Sequence, residues 1–312
     1  MGTPFRIGTR ASALALWQAN WVKSQLEGLW PELSVELEVI KTTGDKILNV
    51  PLSEVGGGKG LFTKEIDEAL AARRVDAAVH SMKDVPFQLP HGIIFGAVPE
   101  REDARDALIA NGRTLDSLPP AARIGTSSLR RQVQLRHRLP GVRISTLRGN
   151  VDTRLRKLAD GEFDAIILAL AGLKRLGKES AVTQILDETI MLPAVGQGAL
   201  GIACRSDDAE TQNRLSPLDH EPTRLAITAE RGLLSALEGS CKVPVAGHAR
   251  WENGNLVLKG LVANVAGTTV ITDQVTGSPA KAQELGLKLG QELIRRGAAK
   301  ILAEISQHGS SR

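Results

Sequence analysis

Tyrosine is absent from the 312 residues, and the aromatic types together make up only 3%. An extended aromatic platform for stacking bases is therefore not expected. Cysteine occurs twice, at Cys204 and Cys241, too few for a disulfide framework and without the spacing of a zinc cluster. No apolar run approaches the roughly 18 residues that a membrane span needs. The first residues lead straight into a strand-like Phe5–Gly8. Neither a charged-then-apolar leader nor an Arg/Ser-rich transit segment precedes it, and the expectation is a cytoplasmic chain. The six histidines form no ligand spacing and no triad, so no metal site is expected.

A strong net charge is also missing. The balance is only +4, yet it is unevenly spread. Residues 121–180 hold 13 Lys and Arg against 5 Asp and Glu, and over the whole chain 25 arginines outnumber 14 lysines. Arginine grips carboxylates and phosphates through a planar fork. A focused arginine cluster in a mildly charged protein points to a pocket for an anionic ligand. With 42% hydrophobic residues, the chain has enough apolar material for two or three domains.

The first half alternates strand and helix. Strands are expected at Phe5–Thr9, Leu33–Lys41, Val75–His80 and Ile93–Val98. Helices are expected from Ser12 to about Leu29 and over Leu61–Arg74. A charged break at Pro99–Arg105 precedes a second such block. Its strands are Arg123–Gly125, Val142–Leu147 and Phe163–Ala169, and its helices are Ser128–Arg138, Val151–Ala159 and a short one through Leu176. This is the βαβ rhythm of open α/β sheets. The Gly- and Ala-rich stretch Leu192–Ser206 leads to a region of different character. There a long helix Thr223–Leu237 is followed by strands Val245–Trp251, Leu256–Ala263 and Thr269–Val275. Asn253-Gly254 and Ala266-Gly267 supply the turns, and helices Pro279–Arg295 and Ala298–Ile305 close a small α+β domain.

Four strand-to-helix junctions share one composition: Thr9–Ser12, Gly56–Gly60, Gly125–Arg131 and Arg148–Arg154. Each sets Gly, Ser or Thr beside a helix N-terminus with Arg or Lys close by. Free amides and the helix dipole favour an anion there, and the competing reading is helix capping with solvated cations. The glycine run is not a nucleotide P-loop, because Leu61 rather than Ser or Thr follows Lys59-Gly60. It suits a flap over a ligand. Asp84, in Val79–Pro86, follows a buried strand, where open α/β sheets place ligands. It either faces a pocket, ready to stabilise a cation or move protons, or simply forms a turn before Val85-Pro86. Cys241, in the loop Glu238–Pro244, has Lys242 beside it, which favours thiolate and access. Cys204, in an apolar run, reads as a small buried hydrophobe.

Taken in order, Val79–Pro86, Gly125–Gln132, Leu147–Leu155, Ala165–Gly177, Leu192–Gly201 and Glu238–Pro244 resemble the porphobilinogen deaminase family over nearly the whole chain. The resemblance implies two periplasmic-binding-protein-like α/β domains with a cleft between them, plus a small α+β third domain. Residues 1–99 with 199–218 would form the first domain, 104–193 the second and 221–312 the third. It further implies a dipyrromethane cofactor in thioether linkage to Cys241, on which four porphobilinogen units condense. Each unit loses ammonia to give an electrophilic azafulvene, and water finally releases the linear tetrapyrrole.

Every pyrrole ring brings an acetate and a propionate, so negative charge accumulates, and dispersed arginines suit such a ligand. By resemblance, Lys83, Ser128, Arg130 and Arg131 hold cofactor carboxylates. Arg10, Ser12, Arg148, Arg154 and Arg175 bind incoming or growing rings, with Phe62 at the substrate end and Lys59 on the flap. Asp84 faces pyrrole nitrogens. Related bacterial sequences commonly carry a basic residue where Glu54 stands, and this chain has an extra glycine nearby. Two rival readings remain: a non-catalytic anion receptor on the same fold, which leaves Cys241 unexplained, and nucleic-acid binding through the basic segment, which the scarcity of aromatics opposes. The expected partner is porphobilinogen, with no nucleic acid, no membrane and a monomeric chain.

Overall fold

The computed structural model describes residues 3–46, 60, 62–237 and 243–309. They fall into two compact units. The first contains the described residues up to Glu102 together with Gly198–Arg224, and the second contains Asp103–Gln197 and the described residues from Leu225 onward.

In the first unit the chain runs β1 (Phe5–Thr9), α1 (Ala13–Leu29), β2 (Val35–Val39), α2 (Thr43–Lys46), α3 (Lys64–Ala71), β3 (Ala77–Ser81) and β4 (Ile93–Ala97). In the second come β5 (Asp106–Ile109), β6 (Arg123–Gly125), α4 (Leu129–Arg138), β7 (Arg143–Ser145), α5 (Val151–Ala159), β8 (Ala165–Ala169), α6 (Leu170–Arg175) and β9 (Gln184–Leu186). The chain returns to the first unit with β10 (Leu200–Arg205) and α7 (Ala209–Leu215). Helix α8 (Glu221–Ala236) starts there and continues into the second unit, followed by β11 (Val245–Glu252), β12 (Asn255–Ala263), β13 (Val270–Gly277), α9 (Ala282–Leu293) and α10 (Ala299–Gly309).

The first sheet has the order β2-β1-β3-β10-β4 and the second β7-β6-β8-β5-β9. The two orders follow one plan. A parallel trio occupies one side, with its earliest strand in the middle, and an antiparallel strand (β10 or β5) joins the trio to the last strand. The chain therefore reverses its winding direction beside β1 and beside β6. In open α/β sheets the carboxyl ends of the strands at such a point form the ligand crevice. The third sheet is the antiparallel meander β11-β12-β13. Asn253 and Gly254 between β11 and β12 both have positive φ, 49° and 77°, the signature of the tight hairpin turn that matches strand twist.

Each sheet has its own core. Ile7, Val22, Leu26, Val79 and Ile202 pack beneath α1. Ile124, Leu108, Leu135 and Ile167 pack beneath α4. Leu233 of α8, Leu258 of β12 and Leu289 of α9 meet below the third sheet. Burying each such side chain is worth about 1.5–3 kcal/mol. Within the second unit, the buried Glu230 carboxylate of α8 accepts the Gly196 amide at 2.7 Å and the Ala249 amide at 2.9 Å. It ties the segment before Gln197 to β11.

Strands β5, β9 and β10 and the helices α2 and α7 are not expected from the sequence. Strand β10 is buried along its whole length, as is β5, so neither alternates. The helix expected over Leu61–Arg74 is Lys64–Ala71, closed by a turn in which Arg73 takes φ 56°. Among the described residues no helix is long and apolar enough to cross a membrane.

Candidate functional site

In the first unit the site begins where β1 hands over to α1. The Thr9 hydroxyl, fully buried, donates to the Ala15 carbonyl at 3.2 Å. The Ser12 hydroxyl accepts the Ala15 amide at 3.3 Å and so caps α1. These two bonds turn the chain sharply and leave Arg10 between them. Its guanidinium lies 4.1 Å from the centroid of the Phe62 ring, within cation–π range.

On the adjacent strand, β3 ends at Ser81 and the chain makes a 3-10 turn, Met82–Asp84. Met82 is buried, and Lys83 and Asp84 face outward. A glycine is required at position 201 on the neighbouring strand. A Cβ there would overlap the Met82 sulfur and come within 2.6 Å of the Phe95 ring, so the turn is pressed closely onto β10. The Gln18 amide of α1 donates to the Ser81 hydroxyl at 2.9 Å and fixes α1 against the end of β3.

These pieces enclose one open pocket. Arg10, Ser12, Phe62 and Asp84, all singled out from the sequence, line it together with Leu14, Ala15, Gln18, Thr63, Val79, His80 and Ser81. A cation, a carboxylate, hydroxyls and an aromatic ring thus converge at the carboxyl ends of β1 and β3. His80 is buried, and that burial, with the Arg10 charge nearby, lowers its pKa to about 4. Its imidazole is neutral at physiological pH.

In the second unit the equivalent junction is β6 to α4. Ser128 is the N-cap residue of α4, but its hydroxyl does not cap the helix. Arg130 and Arg131 follow, both buried and both turned onto Asp106 of β5. Arg130 donates from Nη1 to Asp106 Oδ2 at 2.7 Å and to the Leu192 carbonyl at 2.8 Å. Arg131 donates from Nη2 to Asp106 Oδ1 at 2.7 Å and from Nη1 to the Ile167 carbonyl at 2.8 Å. The Gln197 amide donates to Asp106 Oδ1 at 2.8 Å. Asp106 is fully buried. That burial alone would raise its pKa, but the two guanidiniums outweigh it and hold the carboxyl well below the usual range. Burial pushes the Arg130 guanidinium in the downward direction, opposed by Asp106.

The β7–α5 junction carries Arg148 and Arg154, both half-buried. Gly149 takes φ 112°, the Asn150 side chain caps α5 by accepting the Thr153 amide at 2.9 Å, and Arg154 Nε donates to the Gly149 carbonyl at 2.8 Å. Arg175 ends α6, which follows β8. Strands β6, β7 and β8 are parallel, so the junctions bearing Ser128, Arg130, Arg148 and Arg154 share the carboxyl edge of one sheet.

Cys241 and Lys59 lie outside the described residues, as does Glu54. Cys204 is the fifth of the six residues of β10 and has no exposed surface, its thiol pushed up to about 11 chiefly by burial. A Cβ at Gly96 would come within 2.8 Å of its sulfur. It is a packed core residue with little thiolate character. The sequence reading missed Asp106, Gln197, Gln18 and His80. The only signal for Asp106 was an acidic residue opening the apolar stretch Ala107–Ala110. Among the described residues no three His, Cys, Asp or Glu side chains are grouped to hold a metal ion.

Residues 5–213 match the family model described as porphobilinogen deaminase, dipyromethane cofactor binding domain, and residues 224–295 match the porphobilinogen deaminase C-terminal domain. The porphobilinogen deaminase of Syntrophobacter fumaroxidans is 54% identical over 301 residues, spanning 96% of this chain and 97% of that protein. That of Geobacter sulfurreducens is 51% identical over 307 residues, spanning 98% and 96%. Among solved structures, the periplasmic aliphatic sulphonate binding protein SsuA from Escherichia coli is 16% identical, with a TM-score of 0.40, over 78% of this chain and 73% of that one. By its family models and these relatives, the chain belongs to the porphobilinogen deaminase family.

Proposed function

We propose that the chain is a transferase that joins four porphobilinogen units head to tail, with loss of ammonia, to give the linear tetrapyrrole hydroxymethylbilane in haem biosynthesis. The observation that carries this reading is the pocket at the carboxyl ends of β1 and β3, where Arg10 and Asp84 face the same space with Ser12 and Phe62. Porphobilinogen has two carboxylates on one side of a pyrrole ring that must become cationic when ammonia leaves. Arg10 pairs with a carboxylate. Asp84 accepts the pyrrole N–H and stabilises the positive charge as it develops. Phe62 supplies an apolar face. The described lining residues of the pocket come from one unit of one chain, in keeping with a monomer as the working form, and we place that monomer in the cytoplasm.

The dipyrromethane cofactor fits the residues around α4. Two guanidiniums share the single Asp106 carboxylate, which leaves one positive charge in excess. Arg130 Nε is buried and meets no partner among the described residues. The Ser128 hydroxyl does not cap its own helix. An acidic ligand answers each of these features. When bound, the cofactor supplies the free pyrrole carbon to which the first substrate is joined. In this reading Ser128, Arg130, Arg131 and Lys83 hold its carboxylates. Arg148, Arg154 and Arg175, with Lys59, take the carboxylates of later rings. Cys241 is the attachment point. Buried Cys204 is a poor alternative, because the thiolate that must form the thioether is disfavoured there.

The direct test is incubation of the purified chain with porphobilinogen, followed by oxidation and measurement of uroporphyrin absorbance. The parent should form it. Asp84→Asn should lower turnover by about 10²–10³-fold with an unchanged unfolding midpoint and an unchanged cofactor mass. Turnover of Asp84→Asn within a few-fold of the parent would remove Asp84 from this role.

A further inference from the structure

One buried polar atom that lines the pocket of the first unit meets no hydrogen-bond partner among the described residues. His80, the fourth residue of β3, is 6% exposed and lines the pocket. Among the described residues its Nε2 meets no hydrogen-bond partner. Buried polar atoms are nearly always paired, and an unpaired one is costly. The neighbouring polar groups are engaged elsewhere: Ser12 accepts from the Ala15 amide, and Ser81 is bonded to Gln18. The charge that His80 feels is that of Arg10, which with burial keeps the ring neutral. A neutral imidazole beside a guanidinium adds directed hydrogen bonding without a second positive charge. The group that Arg10 attracts is an acceptor, so the useful form of the ring is the one that donates.

We propose that His80 is a specificity-determining residue that donates an Nε2–H hydrogen bond to the same substrate carboxylate that Arg10 pairs with. The inference rests on the porphobilinogen reading above. It also gives that reading an orientation. The acidic side chain of the incoming ring lies at Arg10 and His80, and its ring nitrogen lies towards Asp84. A substrate lacking a carboxylate at that position leaves the His80 nitrogen without its partner, which is how buried polar groups reject an incorrect ligand.

The test compares His80→Leu, His80→Gln and His80→Asn with the parent, using the full chain with its cofactor and porphobilinogen as the probe. Intact mass reports cofactor, thermal unfolding reports the fold, and steady-state kinetics separate KM from kcat. Loss of one neutral hydrogen bond to a charged acceptor should raise KM about tenfold in His80→Leu with kcat within about twofold. The glutamine amide nitrogen reaches the Nε2 position, so His80→Gln should stay within about threefold of the parent KM. The asparagine nitrogen stands nearer the Nδ1 position, so His80→Asn should behave as the leucine variant does. If His80→Leu fails to fold, the glutamine–asparagine contrast carries the test. A parent-like KM in His80→Leu, or equal KM values for His80→Gln and His80→Asn, overturns the proposal. A parent that carries no pyrrole mass and consumes no porphobilinogen overturns the functional reading itself, whereas a working parent indifferent to His80 overturns only the present inference.

Discussion

Arg130 Nη1 donates to Asp106 Oδ2 at 2.7 Å, with the arginine side chain 6% exposed and the aspartate fully buried. Arg131 uses the other oxygen of the same carboxylate. The arrangement sets two adjacent residues of α4 on one acidic residue of the antiparallel strand β5. It holds the helix N-terminus in register with the sheet and leaves the excess positive charge on the helix side.

Asp106→Asn should therefore destabilise the second unit by about 3–5 kcal/mol, because it strands two buried guanidiniums without a counter-charge. Denaturant unfolding checks this. The control is Asp116→Asn, which breaks a pair with Arg138 in which both side chains are largely exposed and should change stability by no more than about 1 kcal/mol. Equal effects of the two substitutions would mean that Asp106 is not a structural centre. The same result bears on Arg130 and Arg131, whose replacement should lower both cofactor content and the unfolding midpoint.

Much of this arrangement is legible in the sequence. Ser12 caps α1, Arg123–Gly125 and Val151–Ala159 are a strand and a helix as expected, and Arg10, Ser12, Phe62 and Asp84 do share a pocket. Helix caps and periodic apolar faces are local signals and can be read in one pass. What escaped depends on distant pairing. Strands β5 and β10 are buried on both faces and are recognised only from their antiparallel neighbours. The role of Asp106 depends on Arg130, 24 residues away, and on Gln197, 91 residues away. His80 has no sequence signature, because its importance lies in the missing partner of one nitrogen.

Arg10 gives a prediction that separates loading from elongation. Arg10→Gln should retain the cofactor mass yet show few or no added rings after brief exposure to porphobilinogen. Loss of one charge-assisted contact costs about 1.5–3 kcal/mol, roughly a ten- to hundredfold drop in kcat/KM. Arg10→Lys should also be impaired, since an ammonium lacks the planar fork. Phe62→Leu removes the ring 4.1 Å from the guanidinium and should cost only about 0.5–1 kcal/mol, a two- to fivefold effect. Absence of the cofactor in Arg10→Gln would contradict the assignment of Arg10 to incoming rings.

Asp67 of α3 offers a prediction in pH. Its carboxyl, only 8% exposed, is pushed up to about 6 by burial, with the neighbouring Glu68 charge acting in the same direction. Its ordinary value is 3.8. The folded state therefore holds the proton more tightly than the unfolded state does, and Asp67 costs stability as pH rises from about 4 through about 6. Asp67→Asn removes that cost. The variant should gain about 1–3 kcal/mol over the parent at pH 8, and the gain should vanish by about pH 4. Urea unfolding at the two pH values measures it, and a gain that does not depend on pH would mean that the ionised carboxylate is not the cause.

If this chain builds tetrapyrrole on a group anchored to Cys241, the purified protein carries that group, and its intact mass shows it. The parent should exceed its sequence mass by two linked pyrrole units. Cys241→Ser should lose that excess and nearly all turnover, because a hydroxyl is a far weaker nucleophile than a thiolate at neutral pH. Cys204→Ser should keep the excess while losing some stability, since the thiol it replaces is buried in β10. An excess mass that persists in Cys241→Ser, or that disappears in Cys204→Ser while that variant remains folded, would contradict the account.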